Sequence, residues 1–201
     1  MRLLLTPKQL LAVKVVSHIG ALSPLLWIFY QAITDQLGGD PVEALLHFTG
    51  IGAFNLLLLS LLVSPLAKLL KSPALIKTRR LLGLYAFTYA LSHFLSYVFF
   101  ELQLEWQLLL SEIVKRPYIT VGFTALLILT LLASTSTAWA QRKLGRKWQR
   151  MHNWVYLAVL LVALHYIWSV KSDVIQPLFY WAMTLILLYW RRLKLTKWIK
   201  K

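Results

Sequence analysis

Residues 151–170 read MHNWVYLAVLLVALHYIWSV, an apolar stretch of bilayer length with His152 at its start and His165 towards its end. Residues 81–100, LLGLYAFTYALSHFLSYVFF, form a second such stretch with His93 inside it. A hydrocarbon core about 30 Å thick is crossed by about 20 apolar residues of helix, so both segments read as membrane spans. An ionisable side chain within a span is costly and marks a functional candidate by default.

The rest of the chain follows the same pattern. Its 201 residues are 59% hydrophobic and 14% charged, with a mean hydropathy of +0.64, more apolar surface than a soluble domain of this size can bury. Scanning at spanning length predicts six runs, near residues 10–33, 44–66, 81–100, 117–140, 151–170 and 174–190. The breaks are short loops carrying Pro, Gly or charge. The expected fold is all-α: a polytopic six-helix bundle forming a single domain over residues 1–201. The basic start MRLLLTPKQLL lacks a small-x-small cleavage site, and its apolar run continues to spanning length, which predicts a retained first helix. Cysteine is absent, which excludes thiolate haem ligation, iron–sulfur clusters, Cys zinc sites and disulfides and leaves histidine as the main ligand type.

The net charge of +15 is sorted by loop. Lys68, Lys71, Lys77, Arg79 and Arg80 fall between spans two and three; Arg142, Lys143, Arg146, Lys147 and Arg150 fall between four and five. Arg2 and Lys8 precede the first span, and Arg191, Arg192, Lys194, Lys197, Lys200 and Lys201 follow the last. The seven acids, Asp35, Asp40, Glu43, Glu101, Glu105, Glu112 and Asp173, occupy the opposite loops. By the positive-inside rule both termini are cytoplasmic. The basic loops read as anchors for anionic lipid headgroups, and their distribution argues against a nucleic-acid partner.

Local features fill in the bundle. Lys14 and His18 lie towards the inner end of the first span, and Pro24 predicts a kink there. Asp40-Pro41 reads as a helix start, His47 sits near the outer end of the second span, and Gly50-x-Gly52 permits close helix approach. The fourth span opens at Pro117 and ends in STSTAWA, whose hydroxyls are expected to bond back to carbonyls. The sequence shows no evident repeat, no phosphate-binding loop and no dinucleotide fingerprint. With no nucleotide-binding domain, reductant must come from a partner or from the lipid phase.

On this topology His93 lies about 20 Å along the third span from Arg80, and His165 about 22 Å along the fifth from Arg150. The two spans run in parallel, so the histidines share a depth, as a pair gripping haem iron from both faces would. His152 belongs to an inner layer, where a second haem would connect the two sides. A helix-three partner for it would fall fourteen residues before His93, at Arg79, which leaves His18 or no protein side chain as the second inner ligand. The 13-residue step from His152 to His165 also rotates the second ligand by some 140° on a continuous helix, which calls for a π-bulge or for haems on different sides. His18 and His47 are weaker candidates, as ligands or as partners of a haem propionate or a neighbouring helix. Arg79, Arg80 and Arg150 are candidates for pairing with propionates, with headgroup anchoring as their ordinary role. Interhelical hydrogen bonding is the ordinary role of a membrane histidine.

The strings KTRRLLGLYAF (77–87), KRPYITVGF (115–123), TSTAWAQRKLGRKWQRMHNWVYL (135–157), HYIWSVK (165–171) and HFTG (47–50) closely resemble the MsrQ family, formerly YedZ, of the ferric reductase-like transmembrane group. The resemblance covers almost the whole chain. It implies a haem b-binding subunit of the bacterial inner membrane that delivers electrons to MsrP, a periplasmic molybdopterin enzyme reducing methionine sulfoxide in proteins. It also implies quinol or a cytoplasmic flavin reductase as donor, and an association with FMN whose site this sequence does not assign. Haem iron ligation carries over to His93, His152 and His165, each of which occupies its motif. The wider superfamily's second histidine on helix three is absent. One or two haems are expected, and the chain reads as an electron-transfer subunit with no catalytic residues of its own. The competing readings are a ferric or cupric reductase-type cytochrome and, from a different class, a transporter whose histidines relay protons. No pair of interrupted helices in matching halves supports the transporter.

Overall fold

The computed structural model describes residues 6–170 and 174–192. Arg2, Asp173, Lys194, Lys197, Lys200 and Lys201, used above in the charge sorting, lie outside the described residues. Among the described residues the fold is helical throughout, with no strand. The chain divides into two compact units, Met1–Leu109 and Leu110–Lys201.

In the first unit, α1 runs Pro7–Ile33, α2 Pro41–Leu69 and α3 Ile76–Ser96. The start of α1 is fixed by Thr6, whose hydroxyl accepts from the Gln9 amide at 3.3 Å while the Gln9 side chain accepts from the Thr6 amide at 2.9 Å, a reciprocal cap that satisfies two orphan donors. Asp40 caps α2 by accepting from the Glu43 amide at 2.9 Å, with Pro41 in the first turn as expected. Of α1 only Ala21, Leu25 and Ile28 are buried, one narrow stripe. Many of its remaining apolar side chains, Val16 and Trp27 among them, are exposed, as suits a helix bathed in lipid. The Tyr89 hydroxyl on α3 donates to the Ala21 carbonyl at 2.7 Å, in the turn that Pro24 deprives of an amide donor. The pairing of α2 with α3 is the most extensive in the unit. Gly52 makes it possible: a Cβ there would stand 2.5 Å from the Tyr89 ring. After α3 the chain passes into a π-helical turn, Tyr97–Glu101.

The helix α4, Trp106–Lys115, straddles the junction of the two units. The sequence reading treats this stretch as loop; at about 15 Å the helix is too short to cross a bilayer. In the second unit, α5 runs Pro117–Ser134, α6 Ala138–Leu144, α7 Arg146–His152, α8 Val155–Ser169 and α9 Ile175–Trp190. The principal pairing here is α5 with α8.

Two predicted spans are corrected. The fourth, drawn to residue 140, ends at Ser134: the hydroxyls of Ser134, Thr135 and Ser136 bond back to the carbonyls of Leu131 and Leu132, and Thr137 then caps α6 by accepting from the Ala140 amide at 3.1 Å. The expected back-bonding is present, but it terminates the helix. The fifth, drawn from residue 151, begins at Arg146 and runs to Ser169, with a two-residue turn at Asn153–Trp154 between α7 and α8 whose backbone stays in the right-handed helical region. The turn is not the π-bulge considered between His152 and His165; among the described residues the π-helical turn follows His93 instead.

Among the described residues five stretches are long and apolar enough to cross a membrane: Pro7–Ile33, Pro41–Leu69, Pro73–Glu101, Pro117–Ser134 and Arg146–Ser169. The sixth predicted span corresponds to α9, apolar but only 16 residues long. The protein is a multi-pass membrane protein. The α9 helix buries Pro177, Tyr180, Thr184, Leu187 and Leu188 on one face. It is tied to α8 by Arg191, whose guanidinium donates to the Tyr156 hydroxyl at 3.1 Å, and by an edge-to-face contact of Tyr166 with Tyr180.

Candidate functional site: three anchored histidines

In the first unit, His93 of α3 turns its ring onto α2. Its Nδ1 lies 2.9 Å from the Leu46 carbonyl and 3.5 Å from the Thr49 hydroxyl. A carbonyl can only accept, so Nδ1 carries the proton. The Thr49 hydroxyl donates to the Leu45 carbonyl at 2.7 Å, so towards His93 its oxygen is a second, longer acceptor. The ring rests over Gly50, where a Cβ would stand 3.2 Å from Nδ1 and Cε1.

In the second unit, His165 of α8 turns onto α5. Its Nδ1 donates to the Tyr118 carbonyl at 2.7 Å, and its ring rests over Gly122, where a Cβ would stand 2.6 Å from Nδ1. In both residues Nδ1–H is held by main chain, which fixes the tautomer whose lone pair is on Nε2. That is the usual condition of a metal-ligating histidine: the far nitrogen donates to a carbonyl and thereby orients the ring and raises its basicity.

His152, the last residue of α7, is held differently. Trp148 stacks on it, ring centroids 3.9 Å apart and planes 25° apart. Its Nε2 lies 3.2 Å from the Thr135 hydroxyl. That hydroxyl gives its own proton to the Leu131 carbonyl at 2.6 Å, so Nε2 of His152 is the donor between them. The tautomer is thus opposite to that of His93 and His165.

The weaker candidates divide. His18 is exposed on α1, its Nδ1 hydrogen-bonded to the Tyr85 hydroxyl of α3 at 2.7 Å. Tyr85 lies about 12 Å along α3 from His93, so within this unit His18 and His93 occupy different levels. His47 is exposed on α2, next in sequence to the carbonyl that holds His93. Arg80 and Arg150 are exposed and Arg79 is half-buried.

Among the described residues no three of His, Cys, Asp and Glu come together to hold a bare metal ion. Each unit thus presents one histidine whose tautomer puts the lone pair on Nε2, the donor type that haem iron takes. By donor chemistry His93 and His165 each fit haem iron. At His152, Nε2 is engaged by Thr135, and that bond must open before the nitrogen can meet iron.

Sequence reasoning found the histidines and missed what holds them: the carbonyls of Leu46 and Tyr118, the glycines beneath the rings, and the Thr135–Trp148 pair. One numerical signal was available. Each glycine stands 43 residues before its histidine, Gly50 before His93 and Gly122 before His165.

Residues 49–163 match the family described as ferric reductase like transmembrane component. The chain is 50% identical over 195 residues to the protein-methionine-sulfoxide reductase heme-binding subunit MsrQ of Cronobacter sakazakii, covering 96% of this chain and 98% of the relative. The proteins of the same name from an Enterobacter species and from Salmonella paratyphi B are 47% and 48% identical over the same shares. No solved structure matches the chain. With more than half of its length in that family match, and with relatives of this similarity aligned from end to end, the chain belongs to the MsrQ family of ferric reductase-like transmembrane proteins.

Proposed function

We propose that the chain is the haem b-carrying, electron-transferring subunit of a protein-methionine-sulfoxide reductase in the bacterial inner membrane. It takes electrons from quinol or a cytoplasmic flavin reductase and passes them to the periplasmic molybdopterin subunit MsrP. The observation that carries the reading is the shared anchoring of His93 and His165, each with Nδ1–H given to a helix carbonyl, which puts the ring's lone pair on Nε2, the nitrogen that would meet iron. The printed names of the relatives, heme-binding subunits of the same reductase, support it. The proposal treats residues 1–201 as one functional domain with six spans and both termini cytoplasmic, supported by the charge sorting.

His93 and His165 would hold the outer haem, and His152 would serve the inner layer, with His18 or no protein side chain opposite it. Haem b, when bound, supplies a one-electron couple. The protein's own part is orientation. The Leu46 and Tyr118 carbonyls fix ring direction and protonation, and each ring is half-buried within its own unit, His93 against α2 and His165 against α5. Thr135 and Trp148 hold His152 at the basic end of α7, next to Arg150, on the side where the donor would act. FMN is carried as an associated cofactor by family resemblance, with no residues assigned to it.

The test is a reduced-minus-oxidised spectrum of purified protein with haem quantitation per chain. His93→Ala and His165→Ala are each expected to abolish the low-spin b-type signal of the outer centre. An unchanged spectrum in both variants overturns the assignment.

A further inference from the structure

The two histidine anchors are copies of one device. In the first, His93 donates to the carbonyl of Leu46 and lies over Gly50; in the second, His165 donates to the carbonyl of Tyr118 and lies over Gly122. Positions 46 and 118, 50 and 122, and 93 and 165 are each 72 residues apart. The burial pattern keeps the same offset. Ala53 and Ala125, Phe54 and Leu126, Leu56 and Ile128, and Leu57 and Leu129 are buried; Asn55 and Leu127, which interrupt these runs, are exposed. On the partner helices Ala86 and Ala158 are both fully buried. Each unit thus carries the same helix pair, although the sequence shows no evident repeat.

Helix geometry explains why a glycine follows each carbonyl by four residues. The side chain at i+4 stands on the face of residue i, and its Cβ is tilted towards the helix N-terminus, over the carbonyl of residue i. That carbonyl already accepts the amide of residue i+4, and its second lone pair points sideways. A side chain at i+4 would cover this lone pair. Glycine leaves it open, and the imidazole enters through the gap.

We propose that Gly50 and Gly122 are positioning residues for the iron ligands, each required for the Nδ1–H bond that orients the ring and sets its donor strength. The inference rests on the ligand assignment above. It also ranks the two sites. A Cβ at Gly122 would stand 2.6 to 3.0 Å from three atoms of the His165 ring, so the ring must move. At Gly50 the corresponding contacts begin at 3.2 Å, and a small displacement suffices. Losing the bond to the carbonyl makes the imidazole a weaker donor, which disfavours oxidised iron and raises the midpoint potential.

The experiment measures midpoint potential and the electron–nuclear coupling of the remote histidine nitrogen in haem-loaded, full-length protein. Gly122→Ala is expected to raise the potential and change the coupling, and Gly50→Ala to do so less. Gly52→Ala is the packing control. The three atoms nearest its Cβ all belong to the Tyr89 ring, the closest at 2.5 Å, so it should lower thermal stability and leave the potential in place. The proposal falls if Gly122→Ala leaves potential and coupling unchanged, or if Gly52→Ala moves them equally. Should Gly122→Ala not accumulate, the parent protein still decides: both remote nitrogens must be protonated and hydrogen-bonded, and a deprotonated or solvent-bonded nitrogen overturns the inference. These outcomes are separate from failure of the ligand assignment, which His93→Ala and His165→Ala test directly.

Discussion

Trp148 and His152 are held together by one threonine: Trp148 donates its indole N–H to the Thr135 carbonyl at 2.9 Å, while His152 donates Nε2–H to the hydroxyl of the same residue at 3.2 Å. The helix break at residues 135–137 is therefore also the fixture for the inner histidine. His152→Ala is expected to slow electron entry from the cytoplasmic side severalfold while leaving the His93 and His165 spectrum in place. Thr135→Val releases both rings and should act in the same direction. Stopped-flow reduction in proteoliposomes checks this; loss of all haem in His152→Ala contradicts the two-layer assignment.

The acids of the loops opposite the basic ones do not form one equivalent set. Glu112 is bound to Arg116 at 2.6 Å and is only 14% exposed, whereas Glu101 and Glu105 are exposed. Charges at an interface rim act mainly on association rate and its salt dependence. Neutralising Glu101 and Glu105 together should slow reduction of MsrP and flatten its dependence on ionic strength, with haem reduction from the inner side unchanged. Glu112→Gln should leave the MsrP rate near the parent value and cost a few tenths of a kcal/mol of stability. Equal slowing by Glu112→Gln would remove this distinction.

Tyr89→Phe should destabilise the packing of α1 on α3 by about 1 kcal/mol, because the hydroxyl given to the Ala21 carbonyl has no water to replace it. Thermal unfolding in detergent, with haem content followed in parallel, measures this. Stability equal to the parent would show that the bond contributes nothing.

Arg191 is 5% exposed and donates to the Tyr156 hydroxyl, with its guanidinium 5.8 Å from the Tyr156 ring centre. Tyr156→Phe keeps the ring and removes the acceptor, at an expected cost of about 1.5 to 3 kcal/mol for a bond to a charged group. The effect should appear as a lower unfolding temperature without any change in the haem spectrum. A spectral change would instead tie α9 to the histidine of α8.

The helical class and five of the six spans were readable from hydropathy, and the start of α2 at Asp40 and Pro41 from their positions in the sequence. The turn at Thr135–Thr137 was not, because Ala138, Trp139 and Ala140 carry the apolar reading past it. The α4 helix was missed because its ten residues are too few to register at spanning length. The histidines stood out as ionisable groups in apolar runs, but their partners are carbonyls, which every residue carries. The duplication was hidden for a related reason: it conserves size and burial at pairs such as Phe54 and Leu126, and letters only at a few positions such as Gly50 and Gly122.

Because the atoms that receive His93 and His165 belong to the main chain, the residues supplying them are free to differ, and they do: one is leucine and the other tyrosine. Substitution at 46 or 118 leaves an oxygen in the same place. The mutational burden of each anchor falls instead on a residue with no side chain at all, four positions further on, so scanning by alanine would expose the glycines and pass over the acceptors. A redox centre built this way tolerates drift in the atoms it bonds to and is sensitive to growth where it needs empty space.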